Sequence, residues 1–412
     1  MGERAGDAPD RSLRVAMVCP YSLDRPGGVQ NQAVGLARQL AGRGHQVVVF
    51  APADHPAAGA VRRDGVVVVP TGAPVHLPAN GSVAPVSISP LALRRSARVL
   101  RQGRFDVVHV HEPFAPGLAY ALLATGSTPP LVATFHRSGA SAWYRALRPV
   151  TVAAAGRLAA RCAVSEAAAA TARRALGGEY EVLYNGIDTE GFSGVQGTPT
   201  SGPTILFLGR HEPRKGLAVL LEAHARLEAL RGKCGGDAPL LPVTLWVGGD
   251  GPETAGLRAR WPPSPTRHWL GVLSEAEKRS RLVGADVLCA PSIAGESFGI
   301  VLLEGMAAGT RVVASDIDGY RDASGGHSVL VPPGDPEALA RALAGVLVGM
   351  GAGGRAAAPD PDPDPDPVAD AGSLAGARSH ADRWSLRELA AAYEHVYRRV
   401  IATGPRRPPL HC

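Results

Sequence analysis

The sequence predicts an α/β protein made of two doubly wound, Rossmann-like halves. Three observations lead there. Short apolar runs of strand length alternate with helix-length amphipathic segments in both halves. A length of 412 residues is natural for two domains. Residues 193–203, rich in Gly, Thr, Ser and Pro, separate the two rounds of alternation and make the best linker.

The first half opens as a βαβ unit. Residues 13–19 are an apolar strand, and a loop holding Tyr21, Gly27, Gly28 and Gln30 leads into a helix over 31–42 with Val34, Ala37 and Leu40 at helical spacing. Gly44 stops it, and 47–51 is the next strand. Gly27-Gly28 stands where a phosphate loop belongs, without the full G-x-G-x-x-G pattern. Strands are expected over 66–69, 105–110 and 131–135. His136 closes the last of these, at the carboxyl rim where open α/β sheets place ligands. His109 and His111 share a strand face. No third ligand follows at a suitable spacing, so no metal site is expected. Cys162 to Ser165 reads as a strand ending in a helix cap before Glu166.

The second half repeats the pattern. A strand over 204–208 runs into Gly209, Arg210, His211, Glu212, Pro213, Arg214, Lys215 and Gly216, and a helix starts at Leu217. A strand over 243–247 ends in Gly248-Gly249. An apolar strand over 285–290 is followed by Gly295, Glu296 and an apolar helix expected over 297–308, with Glu304 two turns on. A helix N-terminus suits phosphate and carboxylates suit sugar hydroxyls, so this stretch fits a diphosphate with hydroxylated groups beside it. A sugar diphosphate also needs fixed cations where charge develops, and Arg210 and Lys215 supply them on a glycine-bounded loop. Residues 311–315 form one more strand. The alanine, glycine and Pro-Asp tract within 351–379 reads as a disordered low-complexity insertion. A final helix is expected with Trp384, Leu389, Tyr393 and Val396 as apolar anchors.

Composition narrows the class. Residues 1–200 carry 20 Arg, no Lys and 13 acidic residues, so the basic surplus of a chain of net charge +6 lies in the first half. No basic run interleaved with aromatics suggests nucleic acid, and an anionic membrane surface or phosphorylated acceptor is the better partner. No apolar run is long enough to span a bilayer. The polar N-terminus, residues 1–12, shows no secretory signal and is expected to be disordered. Five scattered cysteines, with Cys19 and Cys289 in apolar strands, fit core positions in a reduced cytoplasm.

Glu296 and Glu304 with Ser297-Phe298-Gly299 between them resemble the E-x7-E element of retaining nucleotide-sugar glycosyltransferases. Cys19-Pro20-Tyr21-Ser22, Pro26 to Gln30, Asn80 to Ala84, His109 to Pro113, Ala133 to His136 and Pro213 to Gly216 extend the likeness. Together they resemble the phosphatidylinositol mannosyltransferases of actinobacteria, from about residue 15 to 397. The resemblance implies a GT-B fold: two facing Rossmann-like domains, an acceptor domain over 13–196 and a nucleotide-sugar domain over 197–383, with a terminal helix over 384–402 crossing back to the first. It implies retaining transfer of mannose from GDP-mannose to phosphatidylinositol at the inner membrane face, with no tightly bound cofactor. His136, Arg210, Lys215 and Glu296 are its expected catalytic residues. Gly27, Gly28, Gly249, Ser297, Phe298, Gly299 and Glu304 join Arg210, Lys215 and Glu296 on the donor side. Tyr21, Gln30, Asn80 and His136 face the acceptor. Arg94, Arg95, Arg98 and Arg101 form the membrane-facing cluster.

The chain departs from that pattern in three places. Arg137 stands where the mannosyltransferases have Thr, the spacing from Arg210 to Lys215 is one residue short, and the Pro-Asp tract is foreign to them. A soluble cyclitol or aminoglycoside-type acceptor is therefore the alternative. A sugar-nucleotide-binding protein without turnover is the non-enzyme reading, against which the intact Arg210, Lys215, Glu296 and Glu304 stand.

Overall fold

A computed structural model describes residues 11–403 except 25–26, 55–59, 64, 80–81, 126–128, 138–147, 231–241, 297 and 354–372. Asn80 and Ser297 therefore lie outside the described residues, as do residues 1–10 and the Pro-Asp tract. The chain forms two compact units: everything up to Gly186 together with Leu386 onward, and Ile187–Ser385. The sequence alone places the boundaries at 196/197 and 383/384. Residues 187–198 fold with the second unit, where Arg279 pairs with Asp188 at 2.7 Å and Thr198 meets Ser280 at 3.0 Å.

The first unit holds strands β1 (Arg14–Val18), β2 (Gln46–Ala51), β3 (Val61–Arg63), β4 (Val66–Pro70), β7 (Val107–His111), β8 (Leu131–Phe135), β9 (Ala160–Ala163) and β10 (Glu181–Val182) in one sheet, ordered β10-β9-β8-β7-β1-β2-β4-β3. β5 (Val75–Ala79) and β6 (Ser82–Val86) form a separate antiparallel hairpin. All pairs in the large sheet are parallel except β3–β4. Buried on both faces, its central strands are near-continuous apolar runs. Alternate residues feed separate cores. Val15, Met17 and Cys19 pack with helix α1 (Gly28–Gly42), whereas Ala16 and Val18 pack with Phe105, Leu118 and Leu122. Further helices here, among the described residues, are α2 (Pro90–Gln102), α3 (Leu118–Thr125), α4 (Arg148–Ala155) and α5 (Glu166–Leu176), besides the terminal helix below. Ser165 caps α5 as its sequence suggests, accepting from Ala168 N at 3.1 Å.

The second unit contains β11 (Thr204–Leu208), β12 (Thr244–Gly248), β13 (Arg267–Gly271), β14 (Val287–Ala290), β15 (Arg311–Ser315) and β16 (Val329–Val331), all parallel, in the order β13-β12-β11-β14-β15-β16. Its helices are α6 (Leu217–Leu230), α7 (Thr254–Arg260), α8 (Glu275–Gly284), α9 (Ile300–Ala308), α10 (Asp318–Ser324), α11 (Pro336–Gly353) and α12 (Leu374–Asp382). In each sheet the strand order turns back beside the first strand, between β1 and β7 and between β11 and β14. Those are the switch points at which ligands bind outside the strand ends.

Three helix readings are corrected. α9 starts at Ile300, not 297, because Gly295 adopts φ 77° and Gly299 closes the loop as N-cap. Part of 351–379 is ordered: α11 runs to Gly353, and α12 starts after Ser373, which accepts from Gly376 N at 2.9 Å, and packs on α9 through buried Ala377 and Ala381. The terminal helix α13 (Leu386–Thr403) begins beyond Trp384. Trp384 belongs to the second unit, with its ring 5.0 Å from Phe298.

Helix α13 lies in the first unit beside α1, burying Ala390, Tyr393, Val396, Tyr397 and Val400 in the core that includes Met17 and Leu36. Cys19, Cys162 and Cys289 are buried free thiols, and burial pushes Cys19 and Cys162 up to about 12, which leaves them inert packing groups. Among the described residues no helix is long and apolar enough to cross a membrane.

Candidate active site

In the second unit the site grows from the switch point between β11 and β14. After β11, residues 209–216 form a tight loop around the short 3-10 turn Pro213–Lys215. Gly216 ends it in the left-handed region (φ 68°), and a Cβ there would lie 1.9 Å from Pro291 O. Arg214 O accepts from Ile293 N at 2.7 Å, so the loops after β11 and β14 are stitched together. Gly249 (φ 120°) lets the β12 loop approach equally closely; its Cβ would stand 1.9 Å from Gly209 O. Gly216→Ala is therefore expected to force the two loops apart. The cost is about 1–3 kcal/mol, with donor affinity lost alongside it. Thermal melts and nucleotide titration check it, and an unchanged variant would mean the loops tolerate separation.

This stitching places Lys215 Nζ 2.7 Å and Arg214 Nη1 3.0 Å from the same atom, Glu296 Oε1. Ser292 donates to that oxygen at 3.3 Å and meets Tyr320 at 2.8 Å, which braces the carboxylate from behind. Lys215 and Glu296 are largely shielded, with side chains 20% and 12% exposed. Arg210 lies on the same loop, 56% exposed, with Nε 3.0 Å from Glu212 Oε1. Glu304, inside α9, is held by Lys278 Nζ at 2.9 Å. Burial lowers the Lys278 ammonium, but Glu304 and Glu275 outweigh it and raise it overall. Phe298 is buried against Trp384, so it shapes the loop from within. Gly299 is required for packing, since a Cβ would come within 2.9 Å of Tyr320 and Ala323.

The sequence groups Arg210 and Lys215 with Glu296 and Glu304; the structure pairs Lys215 with Glu296, while Arg210 pairs with Glu212 and Glu304 with Lys278. Sequence reasoning missed Arg214, which shares Glu296, and Lys278, which holds Glu304. Arg214 neighbours Lys215 in the Pro213 to Gly216 motif, which was its available signal. Lys278 lies 26 residues from Glu304 and had none.

In the first unit, His111 and Glu112 end β7 and His136 follows β8. His111 Nδ1 is 2.9 Å from His136 Nε2, and the His136 backbone N–H donates to Glu112 Oε1 at 2.6 Å. Glu112 adopts φ 46°, a left-handed conformation unusual for a side chain of its kind. Behind them, His109 Nδ1 meets Tyr397 at 2.7 Å and its Nε2 meets Thr134 Oγ1 at 2.6 Å; Thr134 also meets Tyr393 at 2.7 Å. Burial holds His109 and His136 down at about 3, so both rings are neutral. A small cavity is lined by His111, Thr134, His136, Asn185 and Tyr393 among others. His109 and His111 share a side, rings stacked at 4.4 Å, and among the described residues no group of three or more His, Cys, Asp or Glu is gathered to hold a metal.

Gln30, expected to face the acceptor, is buried and donates to Ser22 O at 3.3 Å, which secures the loop after β1. Tyr21 forms a bridge with Val86, next to the hairpin. Gly28 opens α1, and among the described residues nothing beyond its chain neighbours and its own helix backbone lies within 4 Å of its Cβ position. Gln32 was overlooked: it pins Gly186 through both polar atoms, at 2.6 and 3.0 Å.

Residues 26–191 match the model of Glycosyltransferase Family 4, and residues 202–348 that of Glycosyl transferases group 1. The chain is 40% identical over 346 residues to the phosphatidyl-myo-inositol mannosyltransferase of Mycolicibacterium smegmatis, covering 81% of this chain and 85% of that one. The chain belongs to the GT-B glycosyltransferases, in the phosphatidyl-myo-inositol mannosyltransferase family. The fold of this glycosyltransferase is shared with a glycosyltransferase from Rickettsia africae (TM-score 0.66, 17% identity, 95% of this chain and 100% of that one). It is shared as well with the Anabaena protein HepE, solved in complex with UDP-glucose (TM-score 0.65, 16% identity, 94% and 100%).

Proposed function

We propose that this glycosyltransferase moves mannose from GDP-mannose, with retention, to an inositol hydroxyl of phosphatidylinositol at the inner face of the membrane. The observation that carries the donor half is the pair of cations, Lys215 and Arg214, on one oxygen of Glu296 at the β11/β14 switch point. The bond between sugar C1 and the phosphate oxygen breaks, the diphosphate gains charge, and the inositol oxygen joins C1 while its proton passes to the leaving group. Lys215 and Arg210 stabilise that charge, with Arg214 beside them. Glu296 aligns sugar and phosphate, and Glu304, steadied by Lys278, takes the ribose hydroxyls. In the first unit, Gly28 opens α1, whose N-terminus suits a phosphate, and His136 and Tyr21 are the acceptor-side residues. The names of the relatives support mannose and phosphatidylinositol.

The membrane side rests on α2. Ser89 caps it, Pro90 starts it, and Arg94, Arg95, Arg98 and Arg101 are all exposed, together with Leu91 and Ile88. Neutralising the four arginines is expected to weaken binding to phosphatidylinositol-rich vesicles by roughly 1 kcal/mol each. Cosedimentation at low and physiological salt measures it, and unchanged binding would remove α2 from the membrane face.

The deciding experiment incubates purified protein with a panel of nucleotide sugars against phosphatidylinositol vesicles and free cyclitols, read by mass spectrometry. A mannosylated lipid formed from GDP-mannose alone supports the proposal. Transfer to cyclitol but not lipid would overturn the acceptor, and absence of both transfer and donor hydrolysis would indicate a binding protein.

A further inference from the structure

We infer that His111 is a positioning residue that sets which ring nitrogen of His136 carries its proton, so that His136 offers an N–H donor to its ligand. The inference rests on the reading that His136 faces the sugar and acceptor.

A neutral imidazole has one N–H and one lone pair. Burial, with the neighbouring His109 and His136, holds His111 well below the ordinary histidine value, and burial does the same to His136. Both rings therefore carry a single proton. His111 is 2% exposed, and its Nε2 meets no hydrogen-bond partner among the described residues. A proton there would be a buried donor without an acceptor, a costly arrangement. The His111 proton accordingly sits on Nδ1 and is donated across 2.9 Å to His136 Nε2. His136 must then accept at Nε2 and hold its own proton on Nδ1.

The surroundings keep this direction. Glu112, next in sequence, takes the His136 backbone N–H at 2.6 Å, so consecutive residues of one strand end grip both ring and backbone. His109 stacks on His111 at 4.4 Å, and its two nitrogens are tied to Tyr397 and Thr134, which keeps the His111 ring from turning. Oriented this way, His136 gives a hydrogen bond to a ligand oxygen and does not take the acceptor's proton.

The test reads the tautomer directly. In uniformly 15N-labelled full-length protein, long-range proton–nitrogen spectra, with His136 assigned by a His136→Gln variant, are expected to show Nδ1 protonated and Nε2 bare. In His111→Leu the Nε2-protonated form should appear. The kcat should fall by about tenfold, the size of one hydrogen bond, while KM stays within a factor of two. His111→Asn places an amide near the Nδ1 position and should regain most of kcat. Thermal melts check that both variants fold, and the wild-type spectrum needs neither. A wild-type His136 protonated at Nε2, an unchanged tautomer in His111→Leu, or an Asn variant no better than Leu would each overturn the inference. Should the spectra hold while His136→Phe retains full transfer, it is the ligand-facing reading of His136 that fails.

Discussion

Lys215→Ala is expected to lower kcat/KM for transfer by about a thousandfold, in line with the 2–5 kcal/mol of losing a shielded cation opposite a charged group. Two effects add. The developing diphosphate charge loses its point cation, and Glu296 loses the shorter of its two ionic contacts, at 2.7 Å. Arg214, more exposed at 44%, remains on the same oxygen and keeps the carboxylate partly paired. Arg214→Ala should therefore cost much less, about tenfold. Arg210→Ala is expected to resemble Lys215→Ala in transfer while leaving the melt unchanged, because Glu212, which it pairs with at 3.0 Å, keeps Arg214. Initial rates at saturating lipid, with circular dichroism as a fold control, measure all three. Near wild-type turnover in Lys215→Ala would remove the donor assignment.

Glu394→Ala is expected to destabilise the first unit by roughly 3 kcal/mol, at the lower end of the range for breaking a buried ion pair because both arginine partners reach solvent. The carboxylate joins the terminal helix to the end of α1. Arg43 Nε donates to one oxygen at 2.8 Å and Arg398 Nη2 to the other at 2.6 Å. His45 Nδ1 accepts from Leu13 N, which leaves Nε2 facing Glu394 at 3.4 Å. Burial would raise the Glu394 carboxyl, but Arg398, Arg43 and His45 prevail and bring it down to about 2 from an ordinary 4.5. A depressed acid stabilises only while ionised. Its contribution is whole above about pH 4.5 and disappears as the pH falls through about 2. Acid melts of wild type should lose stability across that window, and Glu394→Ala should lose less. Equal acid sensitivity in both would show that the cluster does not hold the helix.

Much of the fold was legible because parallel strands buried on both faces leave plain apolar runs. Leu131–Phe135, Thr204–Leu208 and Arg311–Ser315 lie where those runs predict. The start of α6 at Leu217 follows from Gly216, whose positive φ breaks the chain there. Where the reading slipped, local pattern and tertiary packing disagreed. Residues 297–299 are apolar or small enough for a helix, yet Phe298 is drawn toward Trp384, 86 residues away. Leu374–Asp382 was absorbed into a low-complexity tract because its alanines look featureless until α9 is placed against them.

At the site, motif-bearing residues were legible and their supports were not. Glu296 and Lys215 announce themselves beside glycines in the loops after strands, and His136 by following β8 directly. Lys278, Gln32 and Tyr393 do not, and His111 and Glu112 show only as part of the His109 to Pro113 motif, because each acts on a partner distant in sequence, or through a nitrogen or hydroxyl whose direction no pattern encodes. Tyr393 was read as an apolar anchor; it is buried as expected, but its hydroxyl meets Thr134.

The alternation of strands and helices, the family motifs and the loops that carry the charged groups follow from periodicity, glycine placement and local chemistry, and can be read along the chain. The return of the last helix to the first unit is already implied by the family resemblance. Which cation meets which carboxylate and which histidine holds His136 came from packing alone. Those are distances between residues brought together by packing, and packing is a property of the whole chain.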